Sequence, residues 1–169
     1  MKPLVFQGHR YLRQRLLLSI LSGCPIKVEK IRSEKSEPGL KGYFHPRLNS
    51  LCFTDYEVSL LRLFESITNG TIIEISYTGT TIAFKPGFIA GSPSAIVDAH
   101  KHDCPLSKPI GYFLEPLLLL AAFGKAPTNV ILSGITAGGE ADPSVDLLRV
   151  GLLPVLKRFG IEDYELRVL

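Results

Sequence analysis

Apolar residues recur along the chain with two periods, and each period indicates one kind of element. In the first third, leucines cover most of a predicted helix from about His9 to Ser22, which Gly23 and Pro25 end. Only a narrow polar stripe interrupts them, which is typical of a helix buried on most sides against a sheet. The next stretch, Pro25 to Arg32, alternates apolar and charged residues and therefore predicts a half-buried strand.

A second helix and a pair of strands follow. The helix is predicted to begin at Thr54, which has capping-box spacing with Glu57, and to stop at the left-handed turn that Asn69-Gly70 favours. The runs TIIEISY and TIAFKP flank Thr78-Gly79-Thr80. This arrangement predicts two strands joined by a tight glycine turn.

The same kinds of pattern return in the second half. A helix is predicted that Ser107 caps and Gly124 closes, followed by a strand over TNVILSGIT. Asp142-Pro143 is predicted to open a last helix that runs to Phe159, and YELRVL a final strand. The order of elements predicts an α+β fold in which two units of similar size pack their helices on one face of a sheet.

The net charge of +3 hides an uneven distribution. Residues 1–47 hold ten Lys and Arg against three Asp and Glu, whereas residues 48–169 hold nine against thirteen. A basic first third suits a nucleic-acid or acidic-protein partner, and it equally suits a solvated basic face without one. The candidate contacts to RNA or another anion are Arg10, Arg13, Arg15, Lys27, Lys30 and Arg32.

Composition narrows the class of protein further. A hydrophobic fraction of 46% is ample for a core. No secretory signal is evident, and the three scattered cysteines suit a reducing compartment. The longest apolar stretch, Ile110 to Phe123, is too short for a membrane span and contains Glu115 and Pro116. It therefore predicts a buried core helix.

The segment before the first helix has features of an anion site. Gly8, Arg10 and Arg13 lie near a predicted helix N-terminus, where unpaired amides and a partial positive charge can hold a phosphate. The glycine spacings of the dinucleotide fingerprint and the Walker loop are absent. Arginines that pair with acids or face solvent therefore remain the alternative.

No other motif predicts a catalytic or metal site. His100, His102 and Cys104 place three metal-ligating side chains in five residues of a predicted polar loop, but a second ligand pair is absent. No Gly-x-Ser-x-Gly elbow occurs, and no residues suggest a nucleophile with its base and orienting group. We therefore assign no catalytic residue, metal or cofactor.

Several blocks in order resemble the N-terminal part of the RNA 3′-terminal phosphate cyclase family, in particular its eukaryotic nucleolar cyclase-like branch. They are LRQRLLLSILSGCPIKVEKIRS, DYEVSLLRLFESITNGTIIEISYTGTTIAFKPG, PIGYFLEPLLLLA and DPSVDLLRVGLLPVLKRFGI. The resemblance implies repeated βαβαββ units, each with two helices on one face of a four-stranded sheet. Unit one would span about 1–91 and unit two about 92–169, so that 1–169 forms the N-terminal part of a longer cyclase-like domain. Residues 42–54 interrupt the blocks, as an inserted loop or an artefact of the gene prediction.

The resemblance also shows where the chain departs from the active cyclases. Those enzymes open with Glu-Gly-Gly-Gly-Gln-x-x-Arg, which lines the nucleotide and RNA-end site. The matching stretch begins at Phe6 and retains only Gly8 and Arg13, with Arg10 in place of the glutamine. His9 adds bulk where glycine allows close approach. The resemblance therefore implies a former phosphate-end pocket without its catalytic groups, and the family's adenylated histidine would lie outside this chain.

The cyclase-like branch implies a non-catalytic assembly factor of the small-subunit processome, acting in pre-rRNA processing and small ribosomal subunit biogenesis in the nucleolus, within the nucleus. Expected partners are a Bms-type ribosome-biogenesis GTPase, pre-rRNA and the snoRNP components of the processome. No cofactor, metal or membrane is expected. The alternatives are an RNA 3′-terminal phosphate cyclase using ATP, an RNA endonuclease acting on pre-rRNA, and a small metal enzyme using His100, His102 and Cys104.

Overall fold

A computed structural model describes residues 2–42, 56–89, 99–139 and 141–168. The elements are β1 (Leu4–Gln7), α1 (Leu12–Ser22), β2 (Ile26–Glu29), α2 (Tyr56–Ile67), β3 (Thr68–Asn69), β4 (Ile72–Ile75), β5 (Ile82–Lys85), β6 (Phe88–Ile89), β7 (His100–Asp103), α3 (Gly111–Ala121), β8 (Val130–Ser133), α4 (Val145–Leu147), a π-helical turn (Leu148–Leu152) and α5 (Leu153–Arg158). Thr54 of the predicted capping box, and nearly all of the predicted insertion, lie outside the described residues.

The first half forms a four-stranded mixed sheet in the order β1-β2-β5-β4. β1 and β2 are parallel, and the other two pairings are antiparallel. Alternate residues of the central strands, Ile26, Val28, Ile82 and Phe84, are buried and share one hydrophobic core with α1 and α2. Helices packed against one mixed sheet confirm the α+β class.

The strand pair predicted around Gly79 is present as β4 and β5, and Gly79 has φ +67° in the turn between them. Leaving aside the small β3–β6 sheet, the described elements of this half follow the order β1-α1-β2-α2-β4-β5. That order agrees with one βαβαββ unit.

The second half does not repeat that pattern in full. β7 and β8 pair in parallel, and α3 makes the crossover between them. The final strand predicted over YELRVL is wrong for the described residues, because 161–168 pairs with no strand there. The hydroxyl of Tyr164 instead donates to the Leu118 carbonyl, which holds this segment against α3. The division into two repeated units therefore stays a prediction.

Two predicted helix starts are wrong. Ser107 caps nothing, since α3 begins at Gly111 after an Ile110 N-cap that makes no side-chain capping bond. The last helix begins at Val145 rather than at Pro143, and the Ser144 hydroxyl accepts a 3.1 Å bond from the Leu147 amide. Asp142 is unavailable as a cap because its carboxylate is held in ion pairs.

The last helix changes its winding in the middle. The π turn Leu148–Leu152 ends two residues before Pro154, which has no amide N–H to donate. The Leu153 amide bonds to the Leu148 carbonyl, five residues back, and α5 then continues to Arg158. Within the described part of the chain, every helix is too short or too polar to span a membrane.

Candidate nucleic-acid interface

The parallel strands β1 and β2 end side by side. The Gly8 amide donates a 2.8 Å hydrogen bond to the Glu29 carbonyl, which ties the two strand ends together. The residues that follow each strand therefore lie close to one another. We call this region the basic corner, and it consists of His9, Arg10, Lys30, Arg32 and Lys35.

The backbone of the basic corner is strained. Tyr11, Lys30 and Arg32 have φ of 56°, 54° and 48°, and all the non-glycine residues with positive φ in the described ranges lie in or beside this corner. Such conformations cost on the order of 1–3 kcal/mol each and persist only where the surroundings fix them. The Ile31 amide, which donates 2.9 Å to the Thr80 carbonyl, helps to fix this stretch. The surrounding contacts therefore hold the backbone of the corner in an uncommon conformation.

Arg32 turns inward to a buried partner. Its two terminal nitrogens donate to the two carboxylate oxygens of Glu57 at 2.8 and 2.7 Å, and the Arg32 and Glu57 side chains are only 7% and 5% exposed. Burial alone would lower the Arg32 pKa, but the hydrogen bond and charge of Glu57 outweigh it and raise that pKa. Glu57 also accepts from the Lys41 amide at 2.8 Å. This bidentate pair joins the end of β2 to the start of α2.

Arg13 has internal partners as well. Its guanidinium donates to the Tyr112 carbonyl at 3.0 Å, pairs with Glu115 at 2.8 Å and lies 3.6 Å from Asp142. It also lies 4.7 Å from the centre of the Tyr112 ring. Lys108 completes the network through a 2.5 Å bond to Asp142. These contacts fasten α1 to α3.

The remaining four predicted candidates divide into two pairs. Arg15 donates to the Gly8 carbonyl at 2.9 Å and lies 4.9 Å from the centre of the Phe6 ring. Lys27 pairs with Glu29 at 2.7 Å. Arg10 and Lys30 are exposed, and neither has an ion-pair partner among the described residues. Contact with RNA by any of the six stays a prediction, and the geometry leaves Arg10 and Lys30 the most accessible.

The resemblance to the cyclase motif aligns His9 with a glycine of that motif. Burial is the main cause that lowers its pKa, and the positive charges of Arg32 and Lys35 lower it further. The nearby Glu57 acts in the opposite direction but does not reverse the shift. Its imidazole is therefore neutral at neutral pH, and the charge of the corner comes from its arginines and lysines.

An aromatic pair adjoins the basic corner. The rings of Tyr56 and Tyr112 meet edge to face at 5.4 Å, and the Lys108 ammonium lies 5.4 and 5.5 Å from their centres. Burial raises the pKa of both phenols, so they stay protonated. Cations and aromatic rings can hold a phosphate and a base, but these groups supply no activated nucleophile.

The predicted polar loop that carries His100, His102 and Cys104 is wrong, because His100–Asp103 forms β7. Pairing with β8 satisfies the backbone groups along one edge of β7, and the His102 imidazole lies 2.9 Å from the Ser59 hydroxyl and packs against Phe113. Burial raises the pKa of Cys104 to about 12, which makes its thiol unreactive. Over the described ranges, no three or more His, Cys, Asp or Glu residues are grouped to hold a metal.

Sequence reasoning missed the acids that hold the predicted cations. Glu57 was interpreted as part of a capping box, and Glu115 only as a charge inside an apolar run. The position of Glu115 could have indicated an ion pair from the sequence, because a carboxylate inside a buried helix requires a partner. The identity of that partner, Arg13, depends on the packing of α1 against α3 and is not visible in the sequence.

The protein-family comparison identifies the class of protein. The model for the RNA 3′-terminal phosphate cyclase family matches residues 4–169, so the chain belongs to this family, as the sequence blocks indicated. The rRNA processing protein RCL1 of Saccharomyces cerevisiae is 46% identical over 99% of this chain and 40% of its own length. The RNA 3′-terminal phosphate cyclase-like protein of Homo sapiens is 44% identical over 98% of this chain and 39% of its own length. The rRNA processing protein rcl1 of Schizosaccharomyces pombe is 48% identical over 97% of this chain. The chain thus spans about two-fifths of the length of these relatives.

Proposed function

We propose that this chain is part of a non-catalytic assembly factor of the small-subunit processome, which acts in pre-rRNA processing in the nucleolus. The names of the yeast relatives, both called rRNA processing proteins, support a role in rRNA processing. The finer proposal adds pre-rRNA, snoRNP components and a Bms-type GTPase as partners. These follow from the similarity to the cyclase-like branch.

The observation that carries the non-catalytic part of the proposal is the environment of Phe6. This residue stands where active cyclases have a glutamate, and the guanidinium of Arg15 lies over its ring at 4.9 Å. Two buried carboxylates in this region are already held in ion pairs, Glu57 by Arg32 and Asp142 by Lys108. Neither of these two is free to bind a nucleotide or a metal ion.

The RNA-binding part of the proposal depends on the exposed cations of the basic corner. Neither Arg10 nor Lys30 forms an ion pair with an acidic residue in the described structure, and Lys35 is exposed beside them. Each cation that meets a phosphate releases a counterion, so binding should weaken steeply with salt. The positive-φ backbone at Tyr11 and Lys30 sets the direction in which the chain presents these charges, while the long side chains still lose freedom on binding.

Adenylation separates this proposal from the cyclase alternative. The full-length protein is incubated with radiolabelled ATP and magnesium, and covalent labelling is examined after denaturing electrophoresis. An active family cyclase serves as the positive control. No labelled band is expected here, whereas a stable adenylate would establish cyclase chemistry and contradict the proposal.

RNA binding is tested separately by fluorescence anisotropy with a labelled single-stranded pre-rRNA fragment. Affinity is measured over a series of salt concentrations for wild type, Arg10→Ala, Lys30→Ala and the control Lys101→Ala, whose exposed side chain is on β7. Each corner variant is expected to reduce the slope of log affinity against log salt by about one. A flat salt dependence, or equal loss in the control, would argue against RNA contact at the basic corner.

A further inference from the structure

Two exposed phenylalanines and two exposed lysines lie at the end of the first sheet that is remote from the basic corner. Phe88 is on β6 and is 50% exposed, and Phe123 follows α3 and is 67% exposed. The Lys125 ammonium lies 4.8 Å from the centre of the Phe88 ring. Lys85, the last residue of β5, is exposed three residues before Phe88. We call these four residues the aromatic patch.

Backbone contacts bring the segments of the aromatic patch together. β6 pairs with β3, which directly follows α2. The Lys125 amide donates to the Ile89 carbonyl at 3.5 Å, so the turn after α3 lies against β6. A Cβ on Gly124 would lie 3.5 Å from the Ile89 side chain, which is an ordinary packing distance. Phe88 and the turn that carries Phe123 and Lys125 therefore belong to one surface.

The segments that carry or adjoin the aromatic patch have positive charge only. They are residues 66–73, 82–89 and 119–130, and they contain Lys85 and Lys125 but no Asp or Glu. Over the described ranges, neither lysine has an ion-pair partner. Surfaces that bind single-stranded nucleic acid combine such cations with exposed aromatic rings on which bases stack. The chemistry of the patch therefore suits RNA better than an acidic or a purely apolar partner.

The lysines also distinguish this patch from an apolar face that awaits a covering layer. Single exposed apolar side chains are ordinary on a protein surface, but two exposed phenylalanine rings here share one surface with two cations. Covering the patch with another part of the protein would bury both ammonium groups, which is unfavourable unless each gains a partner. An RNA strand supplies a phosphate for each lysine and leaves the lysines at the rim in water.

The aromatic patch and the basic corner lie at opposite ends of β2. Ile26, the first residue of β2, pairs with Phe84, which is next to Lys85. Lys30 of the basic corner follows the last residue of the same strand. The four residue steps from Ile26 to Lys30 separate the two regions by about 13 Å. The patch is therefore a second contact point and not an extension of the corner.

We propose that the aromatic patch binds single-stranded RNA, with bases stacked on Phe88 and Phe123 and phosphates held by Lys85 and Lys125. This proposal deepens the RNA-binding part of the proposed function and rests on it. Stacking on an aromatic ring accepts every base, and removing one such ring weakens binding by about fivefold or more. The lysines add a dependence on salt. The patch would thus hold RNA without reading its sequence.

Photocrosslinking tests the proposal in the full-length protein that contains this chain. A single-stranded pre-rRNA fragment that carries 5-iodouridine is irradiated in complex with the protein, and the crosslinked peptides are identified by mass spectrometry. Crosslinks at Phe88 or Phe123 are expected. Crosslinks confined to other parts of the protein would overturn the proposal.

Fluorescence anisotropy over a series of salt concentrations separates stacking from charge. Phe88→Ala and Phe123→Ala should each weaken RNA binding by about fivefold or more while leaving the salt slope unchanged, and Phe88→Tyr should bind like the wild type. Lys125→Ala should lower the slope of log affinity against log salt by about one. Leu106→Ala, at an exposed apolar residue outside the patch, is the matched control and should change neither. Thermal melts should be unchanged in all these variants, because the side chains are exposed.

The outcomes distinguish failure of the patch from failure of the proposed function. If the wild type binds RNA with a steep salt dependence and both alanine variants of the phenylalanines bind equally well, the patch is overturned and the basic corner is not. If the wild type binds no RNA, the RNA-binding part of the proposed function fails as well. Normal RNA binding with altered sedimentation of the variants would overturn the patch proposal in favour of a contact between protein chains.

Discussion

Replacing Glu57 by glutamine is the sharpest test of the buried pair at the basic corner. The substitution preserves the shape of the side chain and removes only its charge. Arg32 is then left as a buried guanidinium with no anionic partner, since its one further described bond is to the Gly39 carbonyl at 3.1 Å. The variant should fold and unfold cooperatively at a lower denaturant concentration.

The size of the effect follows from the burial of both groups. Removing one partner of a buried ion pair typically costs about 3–5 kcal/mol. The amide oxygen of glutamine can still accept one bond from Arg32 or from the Lys41 amide, so we expect the lower end, about 3 kcal/mol. In a chain of this size each kcal/mol lowers the melting temperature by about 2–4 °C, which gives a fall of about 6–12 °C.

Urea unfolding followed by circular dichroism provides the measurement. Glu37→Gln is the control, because Glu37 pairs with Lys41 at the surface and its loss should not change the midpoint. Combining Arg32→Met with Glu57→Gln removes both charges and should recover most of the stability that Glu57→Gln alone loses, to within about 1 kcal/mol of wild type. If Glu57→Gln unfolds at the wild-type midpoint, the pair is not buried and Arg32 is available for RNA.

Three further predictions concern other parts of the chain. Burial, with a smaller contribution from Arg62, lowers the His102 pKa, so the unfolded chain binds a proton more readily than the folded one. The free energy of unfolding should therefore fall as the pH drops below about 6.5, and His102→Gln should make that fall shallower in urea titrations at several pH values. Cys104 is buried and its pKa is raised, so its thiol should resist iodoacetamide at neutral pH and react only in denaturant. Rapid reaction of this thiol in the native protein would contradict the prediction. A Cβ at Gly111 would lie 1.8 Å from the Pro143 carbonyl oxygen, so Gly111→Ala should cost at least about 1–3 kcal/mol in thermal unfolding, and a neutral effect would mean that α3 packs differently.

Local patterns predicted the first half of the fold well. The alternation in β4 and β5, with Gly79 between them, requires only neighbouring residues to define a hairpin. The errors in the second half occurred where tertiary contacts determine the structure. Pairing with β8 makes His100–Asp103 a strand despite its polar sequence.

The site was less predictable than the fold, because its chemistry depends on residues distant in sequence. The basic first third is visible in the composition. The contacts of its cations are not, because Arg32 and Glu57 are 25 residues apart in the sequence and Arg13 and Tyr112 are 99 residues apart. Only the folded chain distinguishes cations with internal partners from the accessible Arg10 and Lys30. The departures from the cyclase motif, such as Phe6, could be recognised from the sequence and still required the structure to show their surroundings.

Two of the residues that the resemblance aligns with the cyclase motif make internal contacts in this fold. The motif arginine, Arg13, fastens α1 to α3 through Glu115. Arg15 packs over the ring of Phe6, the residue that the resemblance aligns with a cyclase glutamate. The charge that remains accessible lies at the strand ends, where it suits an extended polyanion better than a single nucleotide.

The most direct test of the proposed function is to deplete the protein that contains this chain in its own cells and to follow small-subunit pre-rRNA by Northern hybridisation. Unprocessed precursors are expected to accumulate, and mature small-subunit rRNA to fall. Re-expression of the wild-type protein should restore processing. Normal precursor and mature rRNA levels after complete depletion would contradict a role in pre-rRNA processing.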